Sequence, residues 1–463
     1  MNRNLALFLA LFALLAATRL CHVNVLWAEE TLPLAAAGEM QDGRALYRDI
    51  WFDKPPLAAL IAWTAGGKDG VWLRVEGALY ALLCCWLAWG FARDLWGGDA
   101  GIWAAGLLGF FLIFDFPAAT IPLASDMLLL APHLAAVWMA WRGRPWLAGA
   151  LAGVGLLASP KGVLVLCSAG LLACTRERGS RGRILTAFLA VTGASVLLLW
   201  LTGTLPSYWE EVWRWGSLYA GTTFLEHPIL NGLERTANWT GFHAALICGA
   251  VSGGRPLAGQ PGRYRSWILW IALSAISVAA GMRFFPRYYL ALLPPLVLLA
   301  ANGLRRRPWI ALLLAIPLVR FAPTYLEAAH GGWRDTAMDA DSRAVAAILK
   351  RQAHPGETLF VWGYRPEIYV YSGLRSATRY LDSQPLTGVP ADRHLTQSAP
   401  VETADSRVRR QELAATRPHW IVDGLGLYNP KLAITAFPDL QPWLAHYREA
   451  ARSGNSTILE LVR

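Results

Sequence analysis

Two adjacent carboxylates, Glu29 and Glu30, follow the first apolar run of the chain directly and stand beside Trp27, at the depth where a membrane surface meets water. Neighbouring carboxylates near low dielectric resist double ionisation, which raises the pKa of one and suits it to general-base work. The same pair reads equally as an acidic first turn favouring the dipole of a helix over 31–40, and spacing does not separate the two. Lys54 precedes Pro55 and Pro56, which stiffen the chain and start a helix, so its ammonium is presented at a fixed place. A cation there can neutralise a phosphate leaving group, although a lysine snorkelling at a helix start has the same pattern. Asp126, in PLASDMLLL, stands at the start of another apolar segment, where it or Ser125 can also serve as an N-cap. Lys161, after Pro160, and Arg283 and Arg287, in RFFPRYYLALLPPL, complete a set of charges of both signs at helix ends. Ionisable residues beside membrane segments are costly, and therefore point to function.

The elements that must position these residues are membrane spans. Of 463 residues 55% are hydrophobic and only 16% charged, with a mean hydropathy of +0.34; a disordered or ordinary soluble chain is excluded. The apolar residues form repeated runs, such as LALFLALFALLAA and GIWAAGLLGFFLIF, long enough with their flanks to cross about 30 Å of hydrocarbon. Arginines gather in short loops: Arg93; Arg142 and Arg144; Arg176, Arg178, Arg181 and Arg183; Arg255, Arg263 and Arg265; Arg305, Arg306 and Arg307. With Arg3 they face only Asp94, Asp99 and Glu177 in those loops. Placing all of them in the cytoplasm by the positive-inside rule requires eleven spans, at 5–26, 71–92, 100–116, 127–142, 146–158, 162–175, 184–203, 241–252, 267–281, 288–303 and 309–323. The first run then reads as a retained helix with a cytoplasmic N-terminus, not a removed signal. The break at Ser159, Pro160 and Lys161 separates two short spans; fusing them would place the arginines of RERGSRGR outside.

The external side receives a loop over 27–70, a second over about 204–240, and everything after 323. EETLPLAAAGEMQDG in the first loop and SYWEEVWRWGSLYA in the second suit short helices lying in the membrane interface, the Trp cluster acting as an anchor. The chain thus divides into a transmembrane module, 1–323, and an external α/β domain, 324–463, where 31 of 140 residues are charged. TLFVWG, HWIVDG and TILELV read there as strands, with helices over 336–352 and about 405–416. GLG at 424–426 lacks the rest of a dinucleotide fingerprint. Nearly all of the net charge of +10 lies in the membrane half, as loop charge, so a nucleic-acid partner is not expected. None of the six cysteines falls after Cys248, which excludes a disulfide framework or a zinc ribbon in the outer domain. The vicinal Cys84 and Cys85 read as small apolar residues.

The run WAEETLPLAAAGEMQDGRALYRDIWFDKPPL resembles the first external loop of the GT-C superfamily of membrane glycosyltransferases, in the branch of protein mannosyltransferases, lipid A aminoarabinose transferases and Rgt-type enzymes. The branch pattern is roughly Asp-Glu, a helix, Gly-x-x-x-Tyr-Arg-Asp and a Lys-Pro-Pro element. ASD before an apolar helix, PRYYLALLPPL late in the bundle and VWGYRPEIYVYSGLRSATRY in the outer domain also match, so the resemblance spans about residues 20–380. The chain departs from the pattern at the usual catalytic Asp, which is Glu29 here, and at Arg287, where many relatives have His.

The resemblance implies an inverting transferase that moves a sugar from a polyprenyl-phosphate-linked donor to a glycan, lipid or protein acceptor, on the external face of the cytoplasmic membrane. Glu29 or Glu30 would be the base, with Glu29 in the family's catalytic position. Lys54, Lys161, Arg283, Arg287 and Tyr289 would hold the donor phosphate, and Asp126 would assist the acceptor. Asp126 and Glu29 also offer oxygen ligands to a divalent cation such as Mg or Mn, which a base mechanism does not require. The alternative is a transporter or flippase of lipid-linked saccharides, which predicts polar residues at span midplanes and pseudo-symmetric halves.

Overall fold

A computed structural model describes residues 3–173, 179–222, 226–255, 259, 261–329, 336–389 and 398–462. Arg176, Glu177 and Arg178 of the third arginine loop lie outside the described residues. Apolar residues around the whole helix circumference build a bundle in which Val71–Trp96, 26 residues and about 39 Å long, is the longest rod. Among the described residues five helices are long and apolar enough to cross a membrane: Arg3–Leu20, Val71–Trp96, Ser180–Leu201, Pro286–Arg306 and Pro308–Tyr325. Between them stand shorter apolar helices, among them Gly98–Phe111, Pro145–Ala158, Gly162–Ala173 and Ala244–Gly254. The chain does break between Ala158 and Gly162, as the Ser-Pro-Lys sequence requires. The last helix does not end at Pro323 but continues through it to Ala329.

Small residues bring helices together where lipid offers no hydrophobic drive. Ala244–Gly254 crosses Leu293–Arg306, buried from Leu293 to Leu304, so closely that a Cβ on Gly253 would lie 1.9 Å from the Leu299 carbonyl oxygen, and one on Gly303 2.0 Å from that of Gly249. Asn302 fastens this seam by donating to the Gly253 carbonyl at 2.9 Å.

At one end of the bundle the first long loop folds into helix Ala28–Gln41, the irregular segment 42–56 and helix Leu57–Thr64. The first helix does not lie on a membrane surface: nine of its fourteen residues are buried. The outer domain roofs it, with Arg375 donating to the Gly38 carbonyl and the Ser376 N–H to Glu39. The Trp cluster of the second loop divides similarly. Trp209 is 63% exposed, whereas Trp215 is buried against Trp51, ring centroids 6.1 Å apart. The stretch Trp209–Arg214 between them is a π-helix, a rare form often found at functional sites.

The outer domain is a five-stranded sheet of β1 (Thr358–Trp362), β2 (Arg375–Ser376), β3 (Trp420–Asp423), β4 (Tyr447–Ser453) and β5 (Ser456–Leu461), in the order β2-β1-β3-β5-β4. β2, β1 and β3 run parallel, with Phe360 opposite Ile421, and β5 and β4 add antiparallel. β1 and β3 are apolar on both faces because helices cover them; β4, YREAARS, is a polar edge with no alternation to betray it. The GLG turn after β3 holds no ligand-sized space. Asp423 fills it, accepting from the N–H groups of Leu425, Gly426 and Ile434.

Candidate active site

Four helix ends and one irregular segment deliver charge to a common place. Glu29 stands in the first turn of Ala28–Gln41, Asp126 in the short helix Ser125–Leu128, and Lys161 at the break before Gly162. Arg287 stands in the 3-10 turn Pro286–Leu292 that leads into Leu293–Arg306. Arg287 Nη1 lies 2.9 Å from Glu29 Oε1 and its Nε 3.8 Å from Asp126 Oδ2, while Lys161 Nζ lies 2.6 Å from Asp126 Oδ1. The result is one alternating chain, Glu29–Arg287–Asp126–Lys161, with each side chain 13 to 22% exposed. Such pairs are neither screened as at a surface nor fully desolvated. Tyr288 floors the cluster, its ring centroid 3.7 Å from Lys161 Nζ and 5.2 Å from the Arg287 guanidinium carbon.

Lys54 joins from the first loop, 3.0 Å from Asp53 Oδ1. Burial, the largest influence, pushes its ammonium down, but Asp53, Tyr364 and Glu29 outweigh burial and hold it well above the ordinary range. The outer domain contributes Tyr364 and Asp382. Burial drives the Tyr364 hydroxyl upward, with Lys54 opposing and Glu29 adding to the rise. Burial also pushes the Asp382 carboxyl up to about 7, Asp53 adding to the rise while the Gln384 N–H and Lys54 oppose it.

Three residues singled out from the sequence are turned elsewhere. Glu30, 3% exposed, accepts from both Nη atoms of Arg74, at 2.7 and 2.9 Å, and from the Trp27 N–H at 2.9 Å. Arg74 also donates to the His22 and Val25 carbonyls. Glu30 is thus paired bidentately with Arg74 and braces the turn on which Glu29 stands, with three hydrogen bonds on its two carboxylate oxygens. Arg283, 1% exposed, donates to the Tyr219 and Thr222 carbonyls at 2.8 and 2.6 Å and fastens the end of the second loop. Tyr289 shares a hydrogen bond of 2.8 Å with Thr236 and stacks on Trp239.

Residues that sequence reasoning missed are Arg74, Asp53, Tyr288, Tyr364 and Asp382. Arg74 had a signal, since a lone arginine in the apolar stretch 71–92 needs a buried carboxylate; the outer-domain pair had none.

Among the described residues no group of three His, Cys, Asp or Glu is placed to hold a metal. The two carboxylates offered for a divalent cation flank the Arg287 guanidinium, with the Lys161 ammonium on Asp126. Their charge is met by cations of the chain.

No protein-family model and no curated protein matches the chain. Solved structures do. ArnT from Cupriavidus metallidurans, bound to undecaprenyl phosphate, is similar over 98% of this chain and 97% of its own, at 15% identity and a TM-score of 0.65. The Archaeoglobus fulgidus oligosaccharyltransferase, in complex with Zn and sulfate, is similar over 95% of this chain and 71% of its own, at 14% identity and a TM-score of 0.52. AglB from the same organism, with an inhibitory peptide and a dolichol-phosphate, is similar over 90% of this chain and 69% of its own, at 13% identity and a TM-score of 0.50. The chain shares the fold of these solved structures, a helical bundle with a C-terminal α/β domain.

Proposed function

We propose that the chain transfers a sugar from a polyprenyl-phosphate-linked donor to an acceptor hydroxyl of a glycan, lipid or protein, on the external face of the cytoplasmic membrane. The alternating chain Glu29–Arg287–Asp126–Lys161, with Lys54 beside it, at one end of an apolar bundle, carries this reading. The isoprenoid lies along apolar helices and its phosphate settles on Arg287, Lys54 and Lys161, displacing Glu29 from Arg287. The acceptor oxygen attacks the anomeric carbon from the face opposite the phosphate, and Glu29 takes its proton. The bond from that carbon to the phosphate oxygen breaks with its electron pair, so the product polyprenyl phosphate carries one more negative charge than the diester. The three cations stabilise that charge as it forms, and the sugar carbon inverts. Arg287, unlike a histidine, stays charged at every working pH. In this topology the N-terminus is cytoplasmic and residues 324–463 form the external domain.

Membrane vesicles supplied with defined polyprenyl-phosphate sugars test the proposal, with mass spectrometry identifying which acceptor gains a sugar. Lys54→Ala and Arg287→Ala are each expected to raise the donor KM and lower turnover, on the order of 10-fold to 100-fold in kcat/KM. Wild-type kinetics in both would place the phosphate elsewhere. Movement of intact donor across the bilayer without transfer would instead make the protein a transporter.

A further inference from the structure

Lys54 approaches the charge cluster on a segment that neither helix nor sheet fixes, yet its backbone is held at four points. The Tyr47 carbonyl accepts from Arg379 Nη2 at 2.5 Å. The Trp51 N–H donates to the Arg379 carbonyl at 2.7 Å, and the Phe52 N–H to Glu211 Oε2 at 2.7 Å. The Lys54 carbonyl accepts from the Tyr47 hydroxyl at 2.9 Å. Glu211 Oε1 closes the frame by pairing with Arg379. Tyr47 itself is buried with φ +70°, a left-handed conformation that a bulky residue keeps only when its surroundings enforce it. Glu211 is 0% exposed and sits within the π-helix of the second loop, whereas Arg379 belongs to the outer domain. Next to them Arg409, paired with Glu210 at 2.8 Å, lies 4.5 Å over the Trp51 ring.

We infer that Glu211 and Arg379 are positioning residues for Lys54: the second loop and the outer domain jointly clamp segment 47–54, so that its ammonium meets the donor phosphate. This rests on the reading of Lys54 as a phosphate-binding cation. Neither residue touches the donor. Each acts through the backbone that carries Lys54, and the outer domain thereby becomes part of the donor site despite its distance from the lipid tail.

Glu211→Gln and Arg379→Gln, alone and together, test the inference. Each single variant should raise the donor KM by on the order of 10-fold and lower kcat by no more than Lys54→Ala does, because a charged hydrogen bond that holds Lys54 is lost while Lys54 and the base remain. The double variant should cost less than the two singles combined, since the pair works as a unit. A second measurement does not depend on turnover. Labelling of Lys54 by an amine-selective reagent, read by mass spectrometry, should be suppressed by undecaprenyl phosphate in the wild type and much less so in the variants. Tyr47→Phe removes only the hydroxyl that holds the Lys54 carbonyl; it should raise KM by about threefold, and it keeps the test available if the Glu211 variant does not accumulate. Wild-type KM and wild-type protection in the clamp variants, with a raised KM in Lys54→Ala, would overturn the clamp and leave the donor reading intact. An unchanged KM in Lys54→Ala would remove the phosphate reading first and the inference with it.

Discussion

The two ends of the helical bundle use the same residue types to opposite effect. At one end Arg3 pairs with Asp99 with both side chains about 70% exposed, and Arg142 pairs with Asp94 while lying over Trp138. At the other end Arg74 and Glu30 are 2 to 4% exposed, and Arg287, Glu29, Asp126 and Lys161 are joined in one chain under the outer domain. Charges that water can reach contribute to orientation in the membrane and little to stability. Charges taken from water have to be paired, and each pair becomes either a brace or a tool, according to whether a partner can be displaced. Glu30 and Glu29 are neighbours in sequence and fall on different sides of that division: the first is held bidentately by a buried arginine, the second shares an arginine that the proposed donor phosphate would take.

The sharpest way to break this division is at Glu29. Glu29→Gln keeps size and cannot accept a proton, so turnover should fall by about 10²-fold to 10⁴-fold while the melting temperature stays near wild type. Glu29→Asp should keep substantial activity. Loss of folding in place of loss of turnover would make Glu29 a second brace.

Arg74→Ala should do the reverse, costing about 3–5 kcal/mol of stability because Glu30 is left buried without its counter-charge, as measured by denaturant titration in detergent. A stable variant with altered turnover would assign the brace to the chemistry instead.

The pH dependence sharpens the comparison further. Asp382, with a folded pKa of about 7 against an ordinary 3.8, destabilises the fold when ionised: the cost is absent below pH 4, grows between 4 and 7, and is complete above 7. Asp382→Asn keeps the acceptor for the Gln384 N–H and should raise the melting temperature at pH 8, with the gain vanishing as pH falls toward 4. A gain independent of pH would point to packing. The smallest effect belongs to the opposite end. Arg142→Ala should cost no more than about 1 kcal/mol, since Asp94 keeps the Trp138 indole N–H, and should leave transfer unchanged.

What could be read from the chain follows the same physics. The bundle, the break at Pro160 and three of the strands were legible because burial writes itself into apolar periodicity. Glu29, Lys54, Asp126, Lys161 and Arg287 were legible as charges at helix ends, where ionisable groups need a reason. The division of labour between Glu29 and Glu30 was not, because it depends on Arg74, 44 residues away, finding one of the two. Tyr364 and Asp382 were not either, since only the docking of the outer domain brings them to Lys54. The burial of Ala28–Gln41 has the same origin: its sequence fits an interfacial helix until a roof is placed on it.

The break at Ser159, Pro160 and Lys161 has a consequence for the bilayer. Helix Pro145–Ala158 has 14 residues, about 21 Å of rise, against a hydrocarbon thickness of about 30 Å. If Arg144 stands at one head-group plane, the end of this helix at Ala158 lies about 9 Å short of the other. On that placement the membrane would thin against this face or admit water there. On the proposed function, a donor whose phosphate reaches Lys161 would sink below the level of its neighbours, and the ease of that descent would separate it from bulk phospholipid.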